Sequence, residues 1–297
     1  MSILVTGARG AVARGLASLL AAHDIPHRLA SREPDTPDMP DAADAPDRPD
    51  APDDAPDIVH CDLTDPSTFP GALAGVRSVF LYAEAAAIGT FVKEAVTAGV
   101  EHVVLLSSSS VLSPNAADSP LSASHLAVEE ALLASPLRTT LLRPGSFASN
   151  ALGWAWSLKS GRPVHLPYPG SYSDPIHEAD IAEAAFAVLT NPALAGRTYH
   201  LTGPHALTFA TQLAILGHVL GTPVPFESVT AEQWKSEVAG YIPGPYADAL
   251  LDYWAATDGL PVEITDTVEH LTGHPARSFE SWAEGRVDAF RAEGVHA

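Results

Sequence analysis

Apolar residues along the chain follow two rhythms. Short β-branched and leucine-rich runs alternate with segments whose apolar positions recur every three or four residues, the pattern of a parallel sheet covered by helices. Residues 3–5 (ILV) predict a first strand, followed by a helix over 12–22 and a second strand at 25–30 (IPHRLA). Further strands are predicted at 57–63 (DIVHCDL) and 78–83 (SVFLYA). An amphipathic stretch over 88–98 predicts a helix that Gly99 stops, and 102–107 (HVVLLS) a fifth strand. A helix over 124–134 leads into a sixth strand at 138–144 (RTTLLRP).

Beyond Pro144 the rhythm breaks. Gly, Pro, Trp and Tyr crowd residues 145–175, which is loop chemistry with aromatic walls. A helix starting at Asp180 and a strand-like run at 197–203 (RTYHLTG) return toward the main sheet, and 208–220 begins a further set of helices.

Composition narrows the partners. With 297 residues, 46% of them hydrophobic, the chain can bury a sizeable core, and a formal charge of -20 repels nucleic acid and anionic membrane surfaces. A single cysteine, Cys61, excludes an internal disulfide framework, and the N-terminus lacks the basic start and apolar run of a signal peptide. No apolar stretch reaches the roughly 18 residues of a membrane span. A soluble, cytoplasmic protein is expected. The acidity is uneven, because residues 33–57 hold ten acids against one arginine, a net of -9, together with seven prolines. Such a segment neither propagates a helix nor buries enough surface to offset its entropy, so a solvated, flexible insert is expected. A weak calcium loop is the other reading, but the glycine turn and distal bidentate acid of such loops are missing.

Candidate chemistry begins where the first strand ends. Thr6-Gly7-Ala8-Arg9-Gly10-Ala11-Val12-Ala13 runs directly into a helix. A nucleotide pyrophosphate needs a tight turn, an unobstructed backbone and helix N–H groups pointing at the anion, and Gly7, Arg9, Gly10, Ala11 and Val12 are positioned to supply these. The spacing is G-x-x-G-x-x-A, and a plain strand-to-helix turn is the alternative. At the end of the second strand, where NAD-binding chains present an acid to the ribose, this chain has Ser31-Arg32. Arg32, Arg9 and Ser31 suit a 2′-phosphate, which favours NADP(H) over NAD(H). Either arginine could instead pair with the acidic segment beginning at Glu33. Asp62 and Leu63 are candidates for the adenine contact, or for a helix cap before Pro66.

The motifs TGARGAVA, SR after strand two, CDL after strand three, VVLLSSSS and LRPGSFASN together resemble the atypical short-chain dehydrogenase/reductase superfamily. The nearest likeness is to its NmrA-like branch, including NAD(P)H:quinone oxidoreductase-type members. The resemblance extends from Ile3 to about Trp234. It implies an α/β fold, a Rossmann-type doubly wound parallel sheet with a smaller, mostly helical C-terminal lobe. Residues 1–150 would form the dinucleotide-binding core and 151–297 a substrate-binding lobe, with about 176–203 returning to the main sheet. Tyr82, Ala83 and Ser107, at strand ends, join the cofactor-contact candidates.

The superfamily's usual Tyr-x-x-x-Lys pair is absent, because no tyrosine has lysine four residues on and the three lysines are Lys93, Lys159 and Lys235. His125 and Glu129 stand in its place, one helical turn apart. Reduction of a quinone or enone places charge on a delocalised oxygen and needs a hydrogen bond more than a dedicated tyrosine. The candidate catalytic residues are Ser109, His125 and Asn150; loop solvation for the serine and a surface position for the histidine are the bland alternatives. Phe147, Trp154 and Tyr168 are candidate substrate contacts, with packing as their alternative. Tyr241, Tyr246, Tyr253 and Trp254 form a second aromatic group that a planar substrate would stack on, though core packing accounts for such residues equally. His165, His177 and His205 lack metal-ligand spacing, so no metal is expected. The function expected is NADPH-dependent reduction of a small quinone, enone or related carbonyl compound. A non-catalytic NADP(H) sensor and a natural-product epimerase or cyclase on the same fold are the alternatives.

Overall fold

The computed structural model describes residues 2–34 and 58–291. The expected flexible insert, apart from Glu33 and Pro34, lies outside the described residues. The first half runs β1 (Ser2–Thr6), α1 (Ala11–Ala22), β2 (His27–Ser31), β3 (Ile58–His60), α2 (Phe69–Leu73), β4 (Val76–Tyr82), α3 (Ile88–Ala98), β5 (His102–Leu106), α4 (Ala123–Leu133) and β6 (Arg138–Pro144). The second runs α5 (Ala155–Lys159), β7 (Val164–Leu166), β8 (Tyr172–Ser173), α6 (Glu178–Thr190), β9 (Thr198–Leu201), β10 (Leu207–Thr208), α7 (Phe209–Leu220) and β11 (Phe226–Ser228). It ends in five helices: α8 (Ala231–Val238), α9 (Gly244–Ala256), α10 (Thr267–Thr272), α11 (Phe279–Glu284) and α12 (Val287–Phe290).

Seven strands form one parallel sheet in the order β3-β2-β1-β4-β5-β6-β9. The strand order reverses between β1 and β4. A crevice opens at the carboxyl ends of strands at such a reversal. Successive side chains of each strand face opposite sides, so Ile3 and Val5 pack with Leu16, Leu20, Ile181 and Val188 of α1 and α6. Leu4, with Val79, Leu81 and Val103, packs instead against Phe69, Phe91, Val128 and Leu132 on the other face. In α1, Val12, Leu16 and Leu20 recur at four-residue spacing and are all buried, each worth roughly 1.5–3 kcal/mol.

Between β6 and β9 the chain leaves the sheet for β7 and β8, and after β9 it supplies β10 and β11, which pair with them in two small ladders, β7 with β11 and β8 with β10. These carry a separate apolar cluster around Val164, Leu166, Leu213, Leu216, Phe279 and Trp282. The helical half therefore has its own core and stands over the carboxyl ends of β5 and β6. Among the described residues no helix is long and apolar enough to cross a membrane.

Candidate active site

The glycine turn sits at the strand-order reversal. Gly7 adopts φ +72°, a left-handed conformation that costs a side-chain-bearing residue roughly 1–2 kcal/mol, and its carbonyl accepts the Gly10 N–H at 2.8 Å. A Cβ on Gly7 would lie 2.7 Å from the Tyr82 ring, and one on Gly10 2.5 Å from the Tyr82 hydroxyl. Both glycines are therefore required by the aromatic ring at the end of β4. Gly10 is the N-cap of α1 and offers no side-chain oxygen to its first amides, which leaves that helix end to an anion. The Tyr82 hydroxyl meets the Ala13 amide, and burial pushes the phenol up to about 12. The turn thus fits a dinucleotide pyrophosphate, with Tyr82 against the edge of its seat.

The two arginines differ. Arg9 pairs with Glu33, 3.3 Å to its carboxylate and 3.1 Å to its carbonyl, with both side chains largely exposed. Arg32 is exposed beside Asp62, and the Ser31 hydroxyl accepts the Glu33 amide at 3.1 Å. Asp62 closes a local turn by accepting the Thr64 amide and hydroxyl, both at 2.8 Å, which holds its carboxyl below the usual range. The cap before Pro66 is made by Asp65, whose carboxylate accepts the Ser67 amide at 3.0 Å. Leu63 and Ala83 pack on the apolar cluster beneath the far face of the sheet.

At the ends of β5 and β6 a cavity of about 1960 Å³ opens toward the helical half, well above the roughly 300–1,000 Å³ of a drug-sized site. Ser109, His125, Asn150, Phe147 and Trp154 all line it. Tyr168 does not. It stands in the segment between β7 and β8, where its carbonyl accepts the Ser171 amide at 3.0 Å and closes a turn.

Ser107 serves a different purpose from a free donor, because its hydroxyl donates to Glu129 Oε1 at 2.5 Å. Ser108 and Ser110 are hydrogen-bonded to each other at 2.9 Å, and Ser110 also donates to the Leu121 carbonyl at 3.1 Å. Among the described residues no partner meets His125 Nδ1, a buried atom. Burial lowers the His125 pKa against the raising effect of Glu129, so the imidazole is neutral at pH 7.

Trp154, Tyr253 and Trp254 are among the aromatics expected from the sequence, whereas Phe209, Trp234, Ser146 and Asp174 carry no sequence signal of their own. Trp154, Phe209, Trp254 and Trp234 form a chain of edge-on rings, 6.0, 5.4 and 4.8 Å between successive centroids, and all four line the cavity. Tyr253 and Ser146 line it as well, and the Tyr253 hydroxyl meets the Ser146 side chain. Behind Ser146 lies Asp174, 4% exposed, which accepts the Ser146 amide at 2.9 Å and is pushed up to about 6 by burial. The aromatics could be found by counting; the buried aspartate could not.

Among the described residues one trio has metal-like spacing, Asp180, Glu183 and His274. The Arg277 guanidinium lies within it, bonded to Asp180 and at 2.7 Å to Glu183 Oε1, so the charges are already met by an arginine.

The profile of the NmrA-like family matches residues 1–264. The chain is 32% identical to the (4-alkanoyl-5-oxo-2,5-dihydrofuran-3-yl)methyl phosphate reductase of Streptomyces griseus, over 98% of this chain and all of the relative. It is also 32% identical to the NAD(P)H azoreductase of Xenophilus azovorans, over 78% and 82% of the two chains. Two solved structures share the fold. The Citrobacter sp. triphenylmethane reductase complexed with NADP(H) has a TM-score of 0.77 at 23% identity, covering 96% of this chain and 100% of its own. The Escherichia coli NADPH-dependent quinone oxidoreductase complexed with NADPH has a TM-score of 0.76 at 23% identity, covering 95% and 98%. Sequence, sheet order and the glycine turn agree, and the chain belongs to the NmrA-like family of NAD(P)H-dependent oxidoreductases.

Proposed function

We propose that this chain is an NADPH-dependent reductase whose acceptor is a planar quinone, conjugated enone or related compound that is uncharged or cationic. The observation that carries this reading is the cavity lining. Aromatic edges from Trp154, Phe209, Trp254 and Trp234 suit a flat apolar molecule. The ionisable lining beyond its histidines is four acids, Asp118, Glu237, Asp248 and Asp252, against one guanidinium, Arg162, which lies over Trp156 at 5.0 Å. Asp248 is bonded to Lys235 and Glu237 to His165, so Arg162 is the one cation of the lining left for a phosphate-bearing substrate such as the Streptomyces griseus relative takes. A delocalised cation or a neutral quinone needs no such partner.

When bound, the nicotinamide supplies hydride. The protein has to align an electrophilic carbon with it and exclude water, and the ends of β5 and β6 with Ser109, His125, Phe147 and Asn150 supply that platform. Neutral His125 orients an acceptor oxygen without adding charge. Arg32, with Arg9 released from Glu33, would hold a 2′-phosphate, which supports NADPH over NADH.

Stopped-flow mixing of the protein and NADPH with a panel of quinones, enones and cationic dyes tests the reading. Consumption of NADPH with at least one acceptor, and slower turnover for phosphorylated analogues, is expected. Tight NADPH binding without oxidation by any acceptor would overturn it, and equal affinity for the oxidised and reduced cofactor would point to a sensor.

A further inference from the structure

We propose that Tyr253, carried by α9 of the helical half, is the hydrogen-bond donor to the acceptor oxygen of the substrate, taking over the task that a tyrosine on α4 performs elsewhere in the superfamily. The assignment rests on the reductase reading above.

At the end of β5, Ser107 donates to Glu129 and the Ser110 hydroxyl is engaged by Ser108 and the Leu121 carbonyl, while Ser109 lines the cavity on that side. Across the cavity, Tyr253 is 38% exposed and forms part of the wall. Its hydroxyl lies on the side of the cavity lined by Ser146, the second residue beyond the end of β6. That strand end is where the sheet delivers its chemistry. The neighbouring Trp254 stands edge-on to both Phe209 and Trp234, at 5.4 and 4.8 Å, which fixes the end of α9. Tyr241 and Tyr246 also line the cavity but are more exposed and have no partner at a strand end among the described contacts.

The chemistry requires a donor that keeps its proton. When an enone accepts hydride at its β-carbon, a C–H bond forms, the C=C π pair moves to give an enolate, and the dinucleotide is left two electrons oxidised. The new charge on oxygen is met by the Tyr253 O–H, and one proton from water completes the product. Burial, together with the nearby Asp174 carboxylate, raises the phenol's pKa, so it stays protonated through the reaction.

The test is Tyr253→Phe in the full chain, assayed with a cyclic enone and with a cationic triarylmethyl dye. Hydride addition to the dye gives a neutral carbon and creates no oxyanion. With the enone, kcat is expected to fall on the order of a hundredfold, the loss typical of one oxyanion donor, with KM and NADPH affinity within about twofold. Dye reduction, where the wild type supports it, is expected to stay within about twofold. Ser146→Ala, which removes only the positioning hydroxyl, is expected to give a smaller loss of kcat on the enone alone. Unchanged enone turnover in Tyr253→Phe, or a parallel fall with both acceptors, overturns the role while leaving the reductase reading intact. A wild-type protein that oxidises NADPH with neither acceptor overturns both.

Discussion

Arg143 grips Glu129 through two guanidinium nitrogens, Nε to Oε1 at 2.9 Å and a terminal nitrogen to Oε2. Glu129 is 2% exposed on α4, and the same Oε1 takes the Ser107 hydroxyl. One carboxylate thus ties α4 to the ends of β5 and β6, directly behind the cavity wall that carries His125. Removing one partner of a buried pair leaves the other charge uncompensated, which costs roughly 3–5 kcal/mol. Glu129→Ala is therefore expected to lower the unfolding midpoint by about 6–20 °C in calorimetry, at roughly 2–4 °C per kcal/mol. Replacing both residues with leucine should recover most of the loss. An unchanged midpoint in Glu129→Ala would show that the pair contributes nothing.

In the proposed binding mode, Tyr82 and the dinucleotide compete for one end of α1. Its hydroxyl meets the Ala13 amide, one of the donors a pyrophosphate draws on. Tyr82→Phe keeps the ring that packs against Gly7 and leaves the amide to the ligand. A net hydrogen bond is worth about 1 kcal/mol, so NADPH affinity measured by calorimetric titration is expected to rise about fivefold. Weaker binding in the phenylalanine variant would mean that the hydroxyl holds the dinucleotide instead.

The sheet was legible because its strands obey a period of two and its helices a period near four. The apolar run at 3–5 and the spacing of Val12, Leu16 and Leu20 carry β1 and α1 in full. Position after β5 and β6 likewise brings Ser109, Phe147, Asn150 and Trp154 to one cavity, which His125 joins from α4. What escaped depends on approach between segments far apart in sequence. Tyr253 meets Ser146 across more than a hundred residues, and Asp174 is buried by packing that no local pattern records. Tyr168 sits in the same aromatic-rich stretch as Trp154, yet the turn before β8 leaves it outside the cavity lining.

The two arginines of the proposed 2′-phosphate site stand in unequal circumstances. Arg9 is held by Glu33 in an exposed pair of the kind worth 0–1 kcal/mol, so it can be recruited to a phosphate at little cost. Arg32→Ala is expected to weaken NADPH binding about tenfold and to leave NADH within about twofold, since only the former carries the 2′-phosphate. Glu33→Ala should strengthen NADPH binding modestly, more at low salt than at high. Fluorescence titration of both cofactors at two ionic strengths checks this. Equal loss for NADPH and NADH in Arg32→Ala would remove the basis for the preference.

Asp174 and His102 act on stability in opposite directions across one pH window. Burial pushes the Asp174 carboxyl up to about 6 from an ordinary value of 3.8. Between about pH 4 and 6 the folded chain therefore keeps a proton that the unfolded chain has lost, and the stability this confers at low pH disappears as pH rises through the window. His102, bonded to Thr140 at 2.8 Å, is pushed down to about 4 by burial, with Arg138 nearby. There the unfolded chain takes up the proton first, so stability present above pH 6.5 is lost as pH falls toward 4. Each effect is on the order of 3 kcal/mol, from shifts of a little over two pKa units at about 1.4 kcal/mol per unit. Asp174→Asn, whose amide oxygen can still accept the Ser146 N–H, is expected to match the wild type near pH 4 and to exceed it by that amount at pH 7. His102→Gln should show its largest deficit at pH 7 and a shrinking one toward pH 4. Urea unfolding at pH 4, 5, 6 and 7 reads both differences, and a gap between either variant and wild type that stays constant with pH would mean that the residue does not titrate as its burial requires.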